Sequence, residues 1–187
     1  DWIDVMRVIT GSCRGKRLVT PDGLDTRPTT DKVKESIFNA IQFDIEGRRV
    51  LDLFAGSGQM GIEALSRGAK SAVFVDNSQK SLRCIRENLE NTKLQSVSEV
   101  VNVDFELYLS RIKDKFDIVF LDPPYNKGLI EKAAAKLYDV TSDFCTLVCE
   151  TSTTDVPPDE MFGFCVYRRY RYGKVSVSVY KKGQSNE

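Results

Sequence analysis

From residue 50 onward, short unbroken apolar runs alternate with segments whose apolar residues recur every three or four positions. The runs fall at 50–54, 72–75, 97–103, 116–121 and 144–149. Continuous apolar stretches of this length are expected of strands buried on both faces. Between them, 60–66, 79–92, 105–112 and 129–137 read as helices, with Leu82, Ile85 and Leu89 on one face of the longest. Strand–helix alternation of this kind predicts a parallel sheet with helices on both sides. Beyond Val156-Pro157-Pro158, a connecting loop, the period changes. Residues 164–171 and 174–181 flank Tyr172-Gly173, and Val175, Val177 and Val179 alternate with serines, so an antiparallel hairpin closes the sheet.

Ahead of the alternation, residues 7–19 read as two short strands around 11–15, a hairpin, and residues 21–27 as a loop. Thr29 or Thr30 can cap a helix carrying Val33, Ile37 and Ile41 at helical spacing. The expected architecture is one domain over residues 1–187, with an N-terminal extension at 6–30. Met6 is a candidate natural start, and the opening residues lack the features of a signal peptide. No apolar run approaches the ~20 residues of a membrane span.

Composition adds three constraints. The chain has five cysteines and no histidine. An odd thiol count without secretory features suits a reducing cytoplasm, so all five are expected to be buried fillers, with no metal. Without histidine, imidazole acid–base chemistry is excluded. Net charge is zero, but Arg7, Arg14, Lys16 and Arg17 lie in an acid-free stretch, as do Arg168, Arg169, Arg171, Lys174, Lys181 and Lys182. The intervening chain is net acidic. That asymmetry suits either a nucleic-acid-facing surface or solvated edge strands.

Four motifs sit at the carboxyl ends of predicted strands, where open α/β sheets bind ligands. Asp52-Leu53-Phe54-Ala55-Gly56-Ser57-Gly58 runs a strand into a glycine turn that opens a helix, and Gly56-x-Gly58-x-x-Gly61 fits a nucleotide-binding fingerprint. Asp76 follows the next strand, where a carboxylate can accept both ribose hydroxyls. Neither motif separates a dinucleotide from S-adenosylmethionine. Asp104-Phe105 can meet an adenine, or Asp104 can simply cap a helix. The fourth motif, Asp122-Pro123-Pro124-Tyr125, carries the chemistry. An exocyclic purine amine is a poor nucleophile because its lone pair is delocalised. Asp122 and the Pro123 carbonyl can accept its hydrogens, the prolines stiffen the loop, and Tyr125 can stack on the base.

The Asp-Pro-Pro-Tyr loop resembles that of amino-group methyltransferases. Arg7-Val8-Ile9-Thr10-Gly11, Arg14-Gly15-Lys16-Arg17-Leu18 and the block from Arg27-Pro28-Thr29-Thr30 to Asn39 sharpen the resemblance, as does Gly61-Ile62-Glu63-Ala64-Leu65-Ser66-Arg67-Gly68-Ala69. Over nearly the whole chain it resembles the RsmD family, bacterial 16S rRNA guanine-N2 methyltransferases. The resemblance implies a Rossmann-like class I methyltransferase: a mostly parallel seven-stranded sheet with an antiparallel C-terminal hairpin, plus an N-terminal β-hairpin and helix. It implies S-adenosyl-L-methionine as cofactor and 16S rRNA, free or in the small ribosomal subunit particle, as partner of a cytoplasmic, monomeric enzyme.

Carried over by position, Asp52, Phe54, Ala55, Gly56, Ser57 and Gly58 would cradle the cofactor's methionine portion. Asp76 and Asn77 would hold its ribose, Asp104 and Phe105 its adenine, and Arg27, Thr29 and Thr30 would close over it. Asp122, Pro123, Pro124 and Tyr125 would hold the target base, with Asp122 also beside the cofactor. Arg7, Arg14, Lys16 and Arg17, helped by Lys32 and Lys34, would grip RNA. Asp76 stands where the family often has glutamate, and Met60 where many relatives have leucine. The rivals are a DNA adenine-N6 methyltransferase with the same loop, a dinucleotide-dependent oxidoreductase, and a non-catalytic RNA-binding module.

Overall fold

The computed structural model describes residues 6–21, 30–124 and 128–183. Its helices are α1 (Asp31–Ala40), α2 (Gln59–Ser66), α3 (Gln79–Thr92), α4 (Phe105–Arg111) and α5 (Leu129–Leu137). Its strands are β1 (Arg49–Asp52), β2 (Ser71–Asp76), β3 (Ser98–Asn102), β4 (Phe116–Leu121), β5 (Thr141–Ser152), β6 (Glu160–Met161), β7 (Phe164–Tyr172) and β8 (Val175–Lys182). They form one sheet in the order β3-β2-β1-β4-β5-β8-β7-β6. The first five run parallel. β8, β7 and β6 join antiparallel.

Alternation along the strands divides the core into two layers. Val50, Phe74, Ile118, Phe120, Val148, Val177 and Val179 face α1, α2 and α3. Leu51, Val75, Val119, Leu121, Leu147, Cys149 and Tyr180 face α4 and α5. Because the central strands are covered on both sides, both sets of side chains are apolar, and the runs read in the sequence are unbroken.

Two details depart from expectation. The sheet has eight strands rather than seven. β6 is only two residues long, and no alternation can announce so short a strand. The N-terminal hairpin reduces to a single bridge between Arg7 and Arg17. Its arms still bond each other, Val8 N–H to the Lys16 carbonyl (2.9 Å) and Leu18 N–H to the Met6 carbonyl (2.9 Å), and other backbone groups reach the helices. Ser12 N–H donates to the Ser66 carbonyl (2.8 Å), Ile9 N–H to the Glu63 carboxylate (3.0 Å), and Val19 N–H to Asn88 Oδ1 (2.7 Å).

None of the five cysteines is in a disulfide. Cys13, Cys145 and Cys149 are buried, while Cys84 and Cys165 are half-buried. Among the described residues, no helix is long and apolar enough to cross a membrane.

Candidate active site

The site is assembled at the carboxyl ends of β1, β2, β4 and β5. β1 ends at Asp52, and the chain turns through Leu53 to Gly58 into α2. Gly58 caps the helix at φ 79°, left-handed geometry that a side chain would strain. Gly61 answers to close approach instead, since a Cβ there would lie 2.4 Å from the Phe74 ring on β2. The turn is held from below and from the side. Ala55 N–H donates to the Val75 carbonyl (3.0 Å), and Gly56 N–H donates to Asp76 Oδ2 (2.9 Å). Asp76 Oδ1 accepts from Ser78 N–H (2.8 Å), so both carboxylate oxygens already anchor backbone. Asn77 beside it is exposed.

Asp52 is buried beneath this turn and accepts from Gly61 N–H (3.1 Å). Burial, reinforced by the nearby Asp76 charge, pushes its carboxyl up to about 7. Phe54 is half-buried and meets the Phe105 ring at 5.1 Å, tilted 53°. Phe105 itself lies in the core, so the aromatic surface offered to a ligand here is mainly that of Phe54. Asp104 caps α4, accepting from Glu106 N–H (2.9 Å). Ser57 is buried and donates to Met6 Sδ (3.4 Å).

Asp122 follows β4 and is half-buried, with Pro123 buried and Pro124 exposed. Its carboxyl is held well above the usual range, first by desolvation and then by the charges of Glu150 and Asp52. Asp122 and Glu150 also hydrogen-bond side chain to side chain. A hydrogen bond between two carboxyls needs a proton on one of them, so the contact favours the protonated form of Asp122. With Ile37, Met60 and Phe120 they line a recess on the α1 side of the sheet. Glu150 was not singled out from the sequence, because it follows the apolar run of β5 as an unremarkable polar residue.

Asn88 is a second residue missed. Fully buried on α3, it donates to the Val19 carbonyl (2.9 Å) and the Ser57 carbonyl (2.8 Å) and accepts from Val19 N–H. It ties the N-terminal extension to the glycine turn. A signal was present: asparagine between Ile85, Leu89 and Thr92 puts an amide on the buried stripe.

The remaining expected residues divide. Thr30 caps α1, accepting from Val33 N–H (3.3 Å). Arg27, Thr29 and Tyr125 lie outside the described residues. Arg7, Arg14, Lys16, Arg17 and Lys32 are exposed. Lys34 is not available to RNA. It is fully buried, donates to the Arg7 carbonyl, and lies in the fields of Glu63, Asp31, Arg67 and Arg7. Desolvation lowers its ammonium from the ordinary lysine range and raises the neighbouring Glu63 carboxyl. Both belong to the packing that seats the N-terminal segment on α2.

The donor set suits a cation. Asp52, Asp76 and Asp122 act on one another through their charges in the order Asp76, Asp52, Asp122. A dinucleotide pyrophosphate would add negative charge over the buried Asp52. A sulfonium and an ammonium would offset it. S-adenosylmethionine therefore fits these residues better than NAD.

A parallel sheet of this order, closed by antiparallel strands and opened by a glycine turn at β1, is the Rossmann-like class I methyltransferase fold. The chain belongs to the RsmD family, described as Conserved hypothetical protein 95, whose profile matches residues 6–181. It is 39% identical to YlbH of Bacillus subtilis over 182 residues, 95% of this chain and 99% of that protein. It is 32% identical to ribosomal RNA small subunit methyltransferase D of Escherichia coli over 184 residues, 97% of this chain and 92% of that one. The solved structure of YhhF from Escherichia coli superposes with a TM-score of 0.84 at 31% identity, covering 97% of this chain and 99% of that one.

Proposed function

We propose that the protein transfers a methyl group from S-adenosylmethionine to the exocyclic N2 of a guanine in 16S rRNA. The observation that carries this reading is the Asp122–Glu150 carboxyl pair, set in a recess beside the strand that bears the glycine turn. The Watson–Crick edge of guanine presents two neighbouring donors, N1–H and N2–H₂, whereas adenine presents a lone pair at N1. A carboxyl pair that shares a single proton would offer acceptors to the guanine pattern and repel the adenine lone pair. The names of the relatives support ribosomal RNA as the substrate.

When bound, S-adenosylmethionine supplies an electrophilic methyl group, held by the glycine turn with Asp76 at its ribose and Asp52 compensating its positive charge. This chain's own residues do the rest. Asp122 and the Pro123 carbonyl accept the hydrogens of the amine, draw its lone pair out of conjugation, and offset the positive charge that develops on nitrogen. Pro123 and Pro124 fix the loop, so these acceptors are in place beforehand. Glu150, hydrogen-bonded to Asp122, positions that carboxyl. By the family resemblance, Tyr125 would stack on the base. The amine proton passes to solvent, and no covalent enzyme intermediate is required.

The test is transfer of labelled methyl groups to rRNA from a strain lacking the protein, followed by nucleotide mapping. Label on guanine N2 of the small-subunit RNA is the expected result. Label on adenine, on DNA alone, or nowhere would overturn the assignment.

A further inference from the structure

The row of side chains that starts at Asp122 continues past Glu150. Leu121 is paired with Cys149 on β5, so the next residues, Asp122 and Glu150, stand side by side. Glu150 pairs with Val177 on β8, and Val177 pairs with Tyr170 on β7. Directly paired residues project from the same face of a sheet. Asp122, Glu150, Val177 and Tyr170 thus form one transverse row, and Asp122 and Tyr170 lie three strand spacings, roughly 14 Å, apart. Alternation along β7 sets Arg168 and Tyr172 on that face beside Tyr170.

These three side chains are already organised. Arg168 Nη1 donates to the Tyr170 hydroxyl (3.4 Å). The Tyr170 and Tyr172 rings stack at 6.5 Å and 17°, half-buried at the margin of the α1-side core. The acid-free basic run is thereby sorted by face and position. Arg169 points the other way and is spent on Asp159, the Pro157 carbonyl and the Tyr180 hydroxyl. Lys181 is held by Asp44 and Thr146, and Lys182 by the carbonyls of Tyr138 and Thr141. Arg168, Arg171 and Lys174 remain exposed. Arg171 and Lys174 lie where β7 turns into β8, at the same end of the sheet as Asp122.

The geometry points to a track for single-stranded RNA: the Arg168–Tyr170–Tyr172 ladder holds the nucleotides that flank the base bound at Asp122. This rests on the reading of the protein as an RNA methyltransferase. Aromatic rings stack bases of any identity, and a guanidinium beside them engages phosphate, so the ladder adds affinity and alignment without choosing sequence.

The probe is a short single-stranded oligouridine with one central guanine, titrated against the full chain across a range of salt. Tyr170→Leu, which keeps an apolar side chain against the core, should weaken binding about tenfold. Arg168→Gln should weaken it and reduce the salt slope by about 0.7. Both variants should keep wild-type affinity for S-adenosylhomocysteine and the wild-type urea midpoint. Folded variants that bind the strand with unchanged affinity and salt slope would overturn the track, as would a wild-type protein with no affinity for the strand. The two readings fail separately. Ladder-dependent binding without methyl transfer to rRNA would sink the enzymatic assignment alone. Normal transfer with ladder-independent binding would sink the track alone.

Discussion

In the proposed mechanism, Asp122 is the residue on which the chemistry turns. Asp122→Ala should lower turnover by about 10²–10⁴, because it removes the acceptor that meets the developing charge, and should leave affinity for S-adenosylhomocysteine nearly unchanged. Steady-state kinetics beside calorimetry checks both parts. Asp52 supplies a second prediction with a definite sign. Its folded carboxyl titrates at about 7 against an ordinary 3.8. Between those values the folded protein holds a proton that the unfolded chain has lost. Stability from this group is therefore full below the lower value, declines as pH rises, and is flat above the upper one. Asp52→Asn keeps an acceptor for Gly61 N–H and removes the penalty. Its stability relative to wild type should grow between pH 5 and pH 8 by roughly 3 kcal/mol, nearly all of it below pH 7. Urea unfolding of both proteins at the two pH values measures it. A constant difference would mean that Asp52 is ionised throughout.

At the scale of elements, α3 is a brace as well as a cover. Asn88→Leu would remove the partners of three backbone groups, on Val19 and Ser57, each of which costs about 1–3 kcal/mol when left unmade in a buried setting. A loss of roughly 3 kcal/mol in denaturant unfolding is expected, with weaker S-adenosylhomocysteine binding because Ser57 belongs to the glycine turn. Elements with strong periodicity or uninterrupted apolar runs, such as α3, β4 and α5, were legible to their ends. β5 was read too short because it opens with the polar Thr141-Ser142-Asp143, which carries no apolar pattern. The glycine turn, Asp76 and Asp122 were legible because their residue types are demanded locally. Glu150 and Lys34 were not, since their roles depend on strand pairing and burial across the fold. Lys34 sits on the helix that follows the extension and looks like a surface cation until Ile37 and Phe38 are seen to turn that side inward.

At the scale of the whole molecule, charge is distributed between two ends of the sheet. The recess at Asp122 and Glu150 and the β7 ladder lie at the carboxyl end. The tip of the N-terminal segment does not. Ser12 and Cys13 bond Ser66, the last residue of α2, and Cys13 Sγ meets the Thr92 carbonyl at the end of α3. Since α2 begins at the glycine turn, the tip bearing Arg14 is displaced from it by about 12 Å of helix rise. Arg14→Glu should therefore weaken association with intact small-subunit RNA or particles and leave affinity for a short oligonucleotide unchanged. Parallel filter-binding titrations separate the two.

Under the proposed function, that displaced tip would work as the far jaw of a caliper. A strand lying only across the ladder and recess cannot touch it, so the grip closes only on an object with breadth. Recognition would then measure the contour of folded RNA instead of spelling out its letters, and efficient modification would await a substrate that has already acquired shape.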